Sequence, residues 1–321
     1  NMTSLTFMMS RALSTTWKKG DEIIVSNLDH DANVSPWVIA AERAGVSVRK
    51  IRVCPEDCTL DMEHFEGLLN EKTRLVAIGY ASNATGTINP IAEMTQKAHN
   101  VGALIYVDAV HYAHHGLIDV DALGCEFLVA SAYKFFGPHV GILCGRRDLL
   151  DSLPVEKVRP AYNTTPDRWM NGTPNLEGIA GAREAVRYIA DLGAESSSAL
   201  SLRERIMGGY RAIVEYESML CKRLLEGLAS RKAVKIWGIS ALEKLGNRVP
   251  TISLTHMSKA PAAMAEYLAK QSVYCWSGHH YALSLTEDLG LEPEGTLRIG
   301  LLHYNTVQEV DRLLEVLDGI I

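Results

Sequence analysis

The sequence contains no block of basic residues, no signal peptide and no uninterrupted apolar run long enough to span a bilayer. Its formal net charge is -6, with both signs interspersed, so it offers no basic surface for DNA, RNA or an anionic membrane. It also has no GxGxxG opening a helix and no GxxxxGK followed by Ser or Thr, which argues against nucleotides bound by the usual loops. These absences favour small-molecule chemistry, with no nucleic acid and no membrane as partner.

Cysteine is also sparse, with six dispersed residues in 321. We therefore expect free thiols and a reducing, cytoplasmic environment. Three close pairs could suggest a metal: Cys54 with Cys58, His114 with His115, and His279 with His280. Adjacent side chains generally diverge, and the cysteines lack a second pair, so no metal site is predicted.

What the sequence does contain is an alternation of short apolar runs with helical patterns, in a chain that is 47% hydrophobic and 22% charged. The runs span residues 22–26, 47–53, 74–80, 103–108, 126–130 and 140–145, with helix candidates at 34–45, 61–72 and 91–102. This alternation predicts an α/β fold with a mainly parallel sheet covered by helices on both faces. Ligands of such sheets gather at the carboxyl ends of the strands.

The second half of the chain has a different pattern. Residues 153–175 predict a long irregular connection, and a helix-rich segment follows from 176 to about 229. The remainder mixes strands and helices and predicts a small α+β domain. We place a large domain at 1–190, and linking helices with the small domain at 191–321. Because residue 1 is Asn and the chain opens in a helical pattern, we also expect a segment before it.

Two residues at predicted strand ends suggest a cofactor. Lys134 lies in SAYKFFGPHVG after one apolar run, and Asp108 ends another. A buried lysine amine can hold the aldehyde of pyridoxal phosphate as a Schiff base, while an aspartate keeps the pyridine nitrogen protonated. The alternative is an ordinary solvated lysine in a glycine-bearing loop.

The run from NPIAEM (89–94) to HVGIL (139–143) resembles the central region of class V aminotransferases, and specifically their cysteine desulfurase branch. Matching segments are SNLDHDANVSPW (26–37), YASNATGTINP (80–90), RWMNGTPN (168–175), WSGHHYA (276–282) and RIGLLHYNT (298–306). The resemblance extends over nearly the whole chain. It implies the fold type I arrangement of pyridoxal phosphate enzymes, a large cofactor domain plus a small domain, and a homodimer with its sites at the subunit interface.

The resemblance also implies roles for single residues. Lys134 matches the Schiff-base lysine, Asp108 the partner of the pyridine nitrogen, and His30 the histidine that stacks on the cofactor ring. Asn83 matches the asparagine near the phenolic oxygen, and His111 stands where many relatives carry glutamine for that oxygen. From the residue type alone, His30 could equally be a surface or core residue, and Asn83 a turn residue.

The same resemblance implies a phosphate site and a carboxylate site. Thr3, Ser131 and Tyr133 would contact the phosphate, with Tyr133 replacing a histidine of the relatives, and Thr173 would come from the neighbouring subunit. Helix capping is the alternative for Thr3. Arg298 matches the arginine that binds the substrate α-carboxylate, and a planar bidentate donor suits that task.

The sequence departs from the desulfurase pattern at Tyr281. Desulfurases carry a cysteine there, whose thiolate takes the substrate sulfur as a persulfide, and tyrosine has no sulfur to exchange. Its phenol could position the substrate or move a proton. Cys275 is six residues earlier, and a cysteine in such a place is more often buried and inert.

We therefore expect a pyridoxal-phosphate-dependent enzyme acting on an amino acid through Lys134 and a Cα carbanion, of the aminotransferase or carbon-sulfur lyase type. Lys134, His30, Asp108, Arg298 and Tyr281 are the expected catalytic residues. One alternative is a genuine cysteine desulfurase using Cys275 or an external thiol. Another is a non-catalytic relative that binds the cofactor or a partner protein.

Overall fold

The computed structural model describes residues 1–193 and 200–320. Its larger sheet has six strands, in the order β2-β1-β5-β6-β7-β8. Their bounds are β1 Glu22–Ser26, β2 Ser47–Ile51, β5 Thr73–Gly79, β6 Leu104–Asp108, β7 Phe127–Ser131 and β8 Gly141–Gly145. Adjacent strands from β2 to β7 are parallel, and β8 runs antiparallel to β7. A two-stranded ribbon, β3 Val53–Cys54 with β4 Thr59–Leu60, lies outside this sheet.

Helices cover both faces of this sheet, because successive side chains of each buried strand point to opposite sides. In β6, for example, Ile105 and Val107 belong to one buried cluster, and Tyr106 between them belongs to another. The helices of this part are α1 Met2–Ser14, α2 Ser35–Ala44, α3 Met62–Leu68, α4 Ile91–Asn100, α5 Val120–Leu123 and α6 Arg147–Ser152. α3 and α4 pack on the first face, and α1 and α2 on the second.

The C-terminal part is built around a four-stranded antiparallel sheet in the order β11-β12-β10-β9. Its strands are β9 Val234–Trp237, β10 Thr251–His256, β11 Trp276–Gly278 and β12 Thr296–Gly300. The helices are α7 Leu176–Leu192, α8 Leu202–Ala229, α9 Pro261–Lys270, α10 Leu283–Asp288 and α11 Val307–Asp318. α8, α9 and α11 bury their apolar sides on this sheet in a third cluster.

The predicted α/β fold with a mainly parallel sheet is confirmed, and each predicted strand of the larger sheet is present within two residues of its expected bounds. Residues 153–175 are irregular apart from a short 3-10 helix, Asp167–Trp169. The division into domains at residue 190 stays a prediction, and part of its boundary lies outside the described residues. Of the helices in the described ranges, none is both long enough and apolar enough to cross a membrane.

The N-terminal helix differs from expectation in one detail. Its cap is Asn1, whose side-chain oxygen accepts a hydrogen bond from the Ser4 backbone N–H at 3.0 Å. Thr3 lies inside the first turn. Capping therefore does not account for Thr3, and its position at the helix start requires another explanation.

Candidate active site

A cavity of about 510 Å³, called the main cavity below, opens where the carboxyl ends of β1, β5, β6 and β7 face the start of α1 and one edge of the smaller sheet. It collects side chains from distant parts of the sequence. Its lining residues are Asn1, Met2, Thr3, Asp29, His30, Ala32, Gly79, Ala81, Asn83, Asp108, Val110, His111, Ser131, Tyr133, Lys134, His139, Trp276, His280, Tyr281 and Arg298. Every residue predicted for the site is among them except Thr173. The parallel sheet explains this convergence, because its strand ends meet at one edge.

Lys134 and Asp108 are electrostatically coupled across this cavity. Burial raises the pKa of Asp108 to about 6, although the hydrogen bond from Val110 N–H, at 2.9 Å, and the nearby Lys134 charge both lower it. Burial and the Arg298 charge lower the pKa of Lys134, and Asp108 raises it. Lys134 is less buried than predicted: the residue is exposed to the open cavity, although the protein around its amine removes enough water to lower its pKa. Lys134 is thus an accessible amine that loses its proton more readily than a free lysine.

The turn after β7 presents Lys134 to the cavity. Residues Ala132–Phe135 form a 3-10 helix, and Phe136 then adopts a left-handed conformation with φ of 71°. The Gly137 N–H closes the turn on Ala132 O at 2.8 Å. A Cβ at Gly137 would lie 3.0 Å from that same oxygen, so a larger residue would crowd this turn.

His30 lies in the segment after β1, at the start of a short 3-10 helix, Asp31–Asn33, and its ring is held by a hydrogen bond. Its Nδ1 accepts a hydrogen bond from Ala32 N–H at 3.0 Å, which leaves the proton on Nε2. Burial, followed by the Lys134 charge, lowers the pKa of His30 to about 4. The Tyr281 ring is stacked on it, with centroids 5.3 Å apart. His30 is therefore a neutral, oriented imidazole.

Arg298 reaches the cavity from β12. Its Nη1 donates to the backbone oxygen of Asn83 at 2.8 Å, and Asn83 Nδ2 donates to the backbone oxygen of His280 at 2.6 Å. No carboxylate of the described chain forms an ion pair with Arg298, and burial lowers its pKa. Arg248, which is buried, differs from the half-buried Arg298 because it donates to four backbone carbonyl groups. Arg298 thus has donors left for a ligand, whereas Arg248 has a structural role.

The start of α1 forms another wall. The Met2 N–H donates to Ser131 Oγ at 2.8 Å, which joins the helix to the end of β7. Backbone N–H groups in a first helical turn lack intrahelical acceptors and attract anions. Tyr133 stands nearby, and its ring is stacked on His139 with centroids 4.8 Å apart. Tyr133, which is predicted to replace a histidine of the relatives, is therefore in contact with a histidine of this chain, His139.

Among the lining residues that were not predicted, four have ionisable or aromatic side chains: Asp29, His139, Trp276 and His280. Asp29 accepts hydrogen bonds from Ser26 Oγ at 2.8 Å, Asn33 Nδ2 at 2.9 Å and Gly79 N–H at 2.9 Å. Despite these donors, burial raises its pKa to about 7. The motif LDHDAN contained a signal for it, since Asp29 adjoins His30 at a strand end. His280 had been considered only as a metal ligand together with His279, and that site was not predicted because adjacent side chains diverge.

Two other candidates lie outside this cavity. Thr173 is exposed in the irregular connection, and its predicted contact with a neighbouring subunit stays a prediction. Cys275 faces a smaller cavity next to the main one, and burial raises the pKa of its thiol to about 11. None of the six cysteines, all within the described ranges and all free, lines the main cavity.

Comparison with known proteins gives concordant matches. The family model described as Aminotransferase class-V matches residues 2–313. A cysteine desulfurase of Enterobacter sp. (strain 638) is 34% identical over 314 residues, covering 94% of this chain and 71% of that protein. The aminotransferase-like protein FGM3 of Gibberella zeae is 35% identical over 309 residues, covering 94% and 73%.

Solved structures agree with these sequence matches. The apo cysteine desulfurase of Thermococcus onnurineus NA1 superimposes with a TM-score of 0.87 at 27% identity, covering all of this chain and 78% of that one. The cysteine desulfurase CsdA of Escherichia coli gives 0.84 at 25% identity, covering 99% and 76%. These matches confirm the fold type I arrangement that the sequence motifs implied.

Proposed function

The chain belongs to the class V aminotransferase family of pyridoxal-phosphate-dependent enzymes, and on this premise we propose that it binds that cofactor in the main cavity and acts on an α-amino acid. The reaction proposed is of the aminotransferase or carbon-sulfur lyase type. The observation that carries the proposal is the convergence of Lys134, Asp108, His30 and Arg298 on one cavity with no thiol in its wall.

The residues present fit the cofactor, group by group. Lys134 supplies an accessible amine for the aldehyde, and Asp108 a carboxyl whose Oδ2 has no hydrogen-bond partner among the described residues. The first turn of α1, including Thr3, and the Ser131 hydroxyl supply hydrogen-bond donors for a phosphate. His30 supplies a flat neutral ring. Asn83 and His111 also line the cavity as polar groups for the phenolic oxygen.

Pyridoxal phosphate, when bound, withdraws electrons from the substrate Cα. Asp108 would hold a proton on the pyridine nitrogen, because its carboxylate favours the protonated ring. Arg298 would bind the α-carboxylate and fix the orientation of the bonds at Cα. Lys134 Nζ would then take the Cα proton, which its lowered pKa favours because a neutral amine is required.

Tyr281 distinguishes this chain from a desulfurase. Its phenol lies at the cavity wall where the resemblance places a cysteine, and its ring contacts His30. Persulfide formation at this position is chemically impossible, since tyrosine carries no sulfur. With L-cysteine, elimination would release sulfide and, after hydrolysis, pyruvate and ammonia, which requires no sulfur acceptor on the protein. The genuine desulfurase using Cys275 remains the alternative.

The test uses the cofactor-loaded chain with Lys134→Ala, and with Lys270→Ala as the matched control, because Lys270 is an exposed helical lysine paired with Glu266. Borohydride reduction should fix the cofactor to the Lys134 peptide only. Incubation with L-cysteine should give Lys134-dependent pyruvate and sulfide, or amino transfer with an added keto acid. Alanine with sulfur transferred to a thiol would support the desulfurase alternative, and cofactor binding without response to any amino acid would support the non-catalytic one.

We propose further that the enzyme is a cytoplasmic homodimer. Large apolar side chains are exposed in and just after the irregular connection, at Val158 (63%), Tyr162 (75%) and Leu176 (64%), in the same segment as Thr173. Apolar exposure of this size is typical of an interface. Light scattering of the purified protein should give a mass near twice 35.3 kDa. A monomer that retains the cofactor and activity would overturn the assignment of Thr173.

A further inference from the structure

A second cavity of about 230 Å³ adjoins the main one and shares three of its wall residues, His111, Trp276 and Arg298. His114, His115 and Thr251 also line it, with Tyr274 and Cys275 as further polar residues. We call it the histidine cavity. Its volume is several times the share of one water in the liquid, about 30 Å³, and is below the range usual for a whole ligand. The histidine cavity therefore has room for one substituent of a molecule whose larger part is bound in the adjoining main cavity.

The three imidazoles of the histidine cavity are packed against one another. Ring centroids of His114 and His115 are 3.9 Å apart, and His111 is 5.4 Å from His114 and 5.5 Å from His115. Burial and the mutual proximity of these rings lower the pKa of His111 and His114 well below the ordinary value. Without a ligand, His111 and His114 are therefore neutral imidazoles.

Two of these histidines already have partners. His111 Nε2 is hydrogen-bonded to Thr251 Oγ1 at 2.9 Å, and His115 Nδ1 to the Glu217 carboxylate at 2.6 Å. His114 differs, because neither of its ring nitrogens has a hydrogen-bond partner among the described residues. A buried polar atom without a partner is costly, and such atoms are usually satisfied by a ligand or water. His114 is therefore the group in this wall that is free to bind.

The charges around the cavity favour an anion. Arg298 supplies a full positive charge at the opening shared with the main cavity, and no Asp or Glu of the described chain lines the wall. The Glu217 carboxylate, which does not line this cavity, accepts from His115 and from the His303 backbone N–H at 2.9 Å. A bound anion would also favour a proton on the His114 imidazole, and a charge-assisted hydrogen bond is stronger than a neutral one.

We propose that the histidine cavity binds an acid group carried by the side chain of the amino acid substrate, with His114 as its hydrogen-bond donor. The substrate class is then an α-amino acid with a second acid group. This inference depends on the proposed function, because it takes Arg298 as the site of the α-carboxylate. The shared wall at Arg298 places the two acid groups of one molecule in adjacent cavities.

The test measures binding rather than turnover. Isothermal titration calorimetry of the cofactor-loaded protein compares glutarate with its monoamide glutaramate, in which a neutral amide replaces one of the two carboxylates. Neither molecule has an amine to react. Glutarate should bind at least tenfold more tightly, since a charge-assisted hydrogen bond contributes about that factor. The preference should increase as the pH falls, because binding draws a proton onto the imidazole.

Three variants complete the design. His114→Phe should reduce the ratio of the two dissociation constants to about one, and His114→Gln, which retains a donor, should preserve part of it. His64→Gln, in α3 and outside both cavities, is the control and should leave the ratio unchanged. Thermal unfolding and the cofactor absorbance establish that each variant is folded and loaded.

The outcomes separate the two proposals. Equal binding of glutarate and glutaramate, both lost in Arg298→Ala, would overturn the histidine cavity as an anion site and leave the proposed function intact. A glutarate preference unaffected by His114→Phe would overturn the role of His114. Failure of the cofactor itself to bind would overturn the proposed function first.

Discussion

The Tyr281 ring lies nearly parallel to the His30 ring, with centroids 5.3 Å and planes 13° apart. The two segments are also joined through the backbone, since Asp31 N–H donates to Tyr281 O at 2.7 Å. His280 and Tyr281 both have positive φ, 53° and 60°, which is unfavourable for residues other than glycine. The Asn83 side chain, bonded to His280 O, helps to hold this conformation. The loop thus keeps two unfavourable backbone conformations and places an aromatic ring over the histidine.

The stack on His30 predicts different effects for two substitutions of Tyr281. Tyr281→Phe retains the ring and should leave the cofactor dissociation constant within about twofold of the original. Tyr281→Ala removes an aromatic contact of about 0.5–1.5 kcal/mol and should raise that constant about two- to tenfold. Absorbance titration with the cofactor measures both. If Phe reduces turnover as strongly as Ala while cofactor binding is intact, the hydroxyl rather than the ring is the functional group.

The buried carboxyls predict an inverse dependence of stability on pH for the cofactor-free protein. Burial raises the pKa of Asp108 to about 6 and of Asp29 to about 7, against 3.8 for an unperturbed Asp. At a pH between the unperturbed pKa and the raised pKa, the folded chain binds more protons than the unfolded chain. The contribution of both groups to the free energy of unfolding therefore falls as the pH rises from about 4 to about 7.

Asp108→Asn isolates this contribution. The pKa difference at Asp108 corresponds to about 3 kcal/mol, so the cofactor-free variant should be more stable than the original by up to about that amount at pH 8 and equal to it near pH 4. Urea unfolding at several pH values measures this. Asp148→Asn is the control, because Arg146 lowers the pKa of Asp148 and the sign of its effect is opposite. An Asp108→Asn protein less stable than the original at pH 8 would contradict the prediction.

The sequence predicted the strands of the larger sheet well because a strand buried on both faces is a short apolar run with few alternatives. The antiparallel direction of β8 was not predictable from its own composition, since either direction satisfies the same run. Direction follows instead from the tight connection through Gly137, which returns the chain beside β7. Local pattern thus identified the elements, and turn geometry determined how one of them pairs.

The site was predicted unevenly for a similar reason. Lys134 and Asp108 follow predicted strands, so their proximity could be inferred from the fold alone. His139 and Trp276 reach the cavity through loop and edge-strand geometry that no periodicity encodes. Asp29 was missed because its role is to accept three hydrogen bonds from neighbouring segments, including one from Gly79. Contacts of this kind depend on three-dimensional packing rather than on residue type.

Arg298 and Arg248 predict opposite consequences for the same substitution. Arg298→Lys keeps a positive charge but loses the bidentate geometry, so the KM for the amino acid substrate should rise about 10- to 100-fold with little change in stability. Arg248→Lys should reduce the free energy of unfolding by about 2–4 kcal/mol, because a lysine cannot reach the carbonyl groups that Arg248 binds. Its KM should stay unchanged. Steady-state kinetics and urea unfolding of both variants measure these effects. If Arg248→Lys also raised the KM, the KM would respond to changes in the fold, and the effect of Arg298→Lys could not be assigned to lost substrate binding.

The position of Cys275 predicts that its thiol is dispensable. Catalytic thiols act as thiolates, and burial raises the pKa of Cys275 to about 11, so almost none is ionised near neutral pH. It also faces the histidine cavity rather than the wall that contains Lys134. Cys275→Ala should therefore retain turnover of L-cysteine within about twofold, as should Cys144→Ala, an exposed thiol outside both cavities. Loss of alanine formation and sulfur transfer in Cys275→Ala alone would instead identify a desulfurase whose acceptor thiol has moved by six residues from the position of Tyr281.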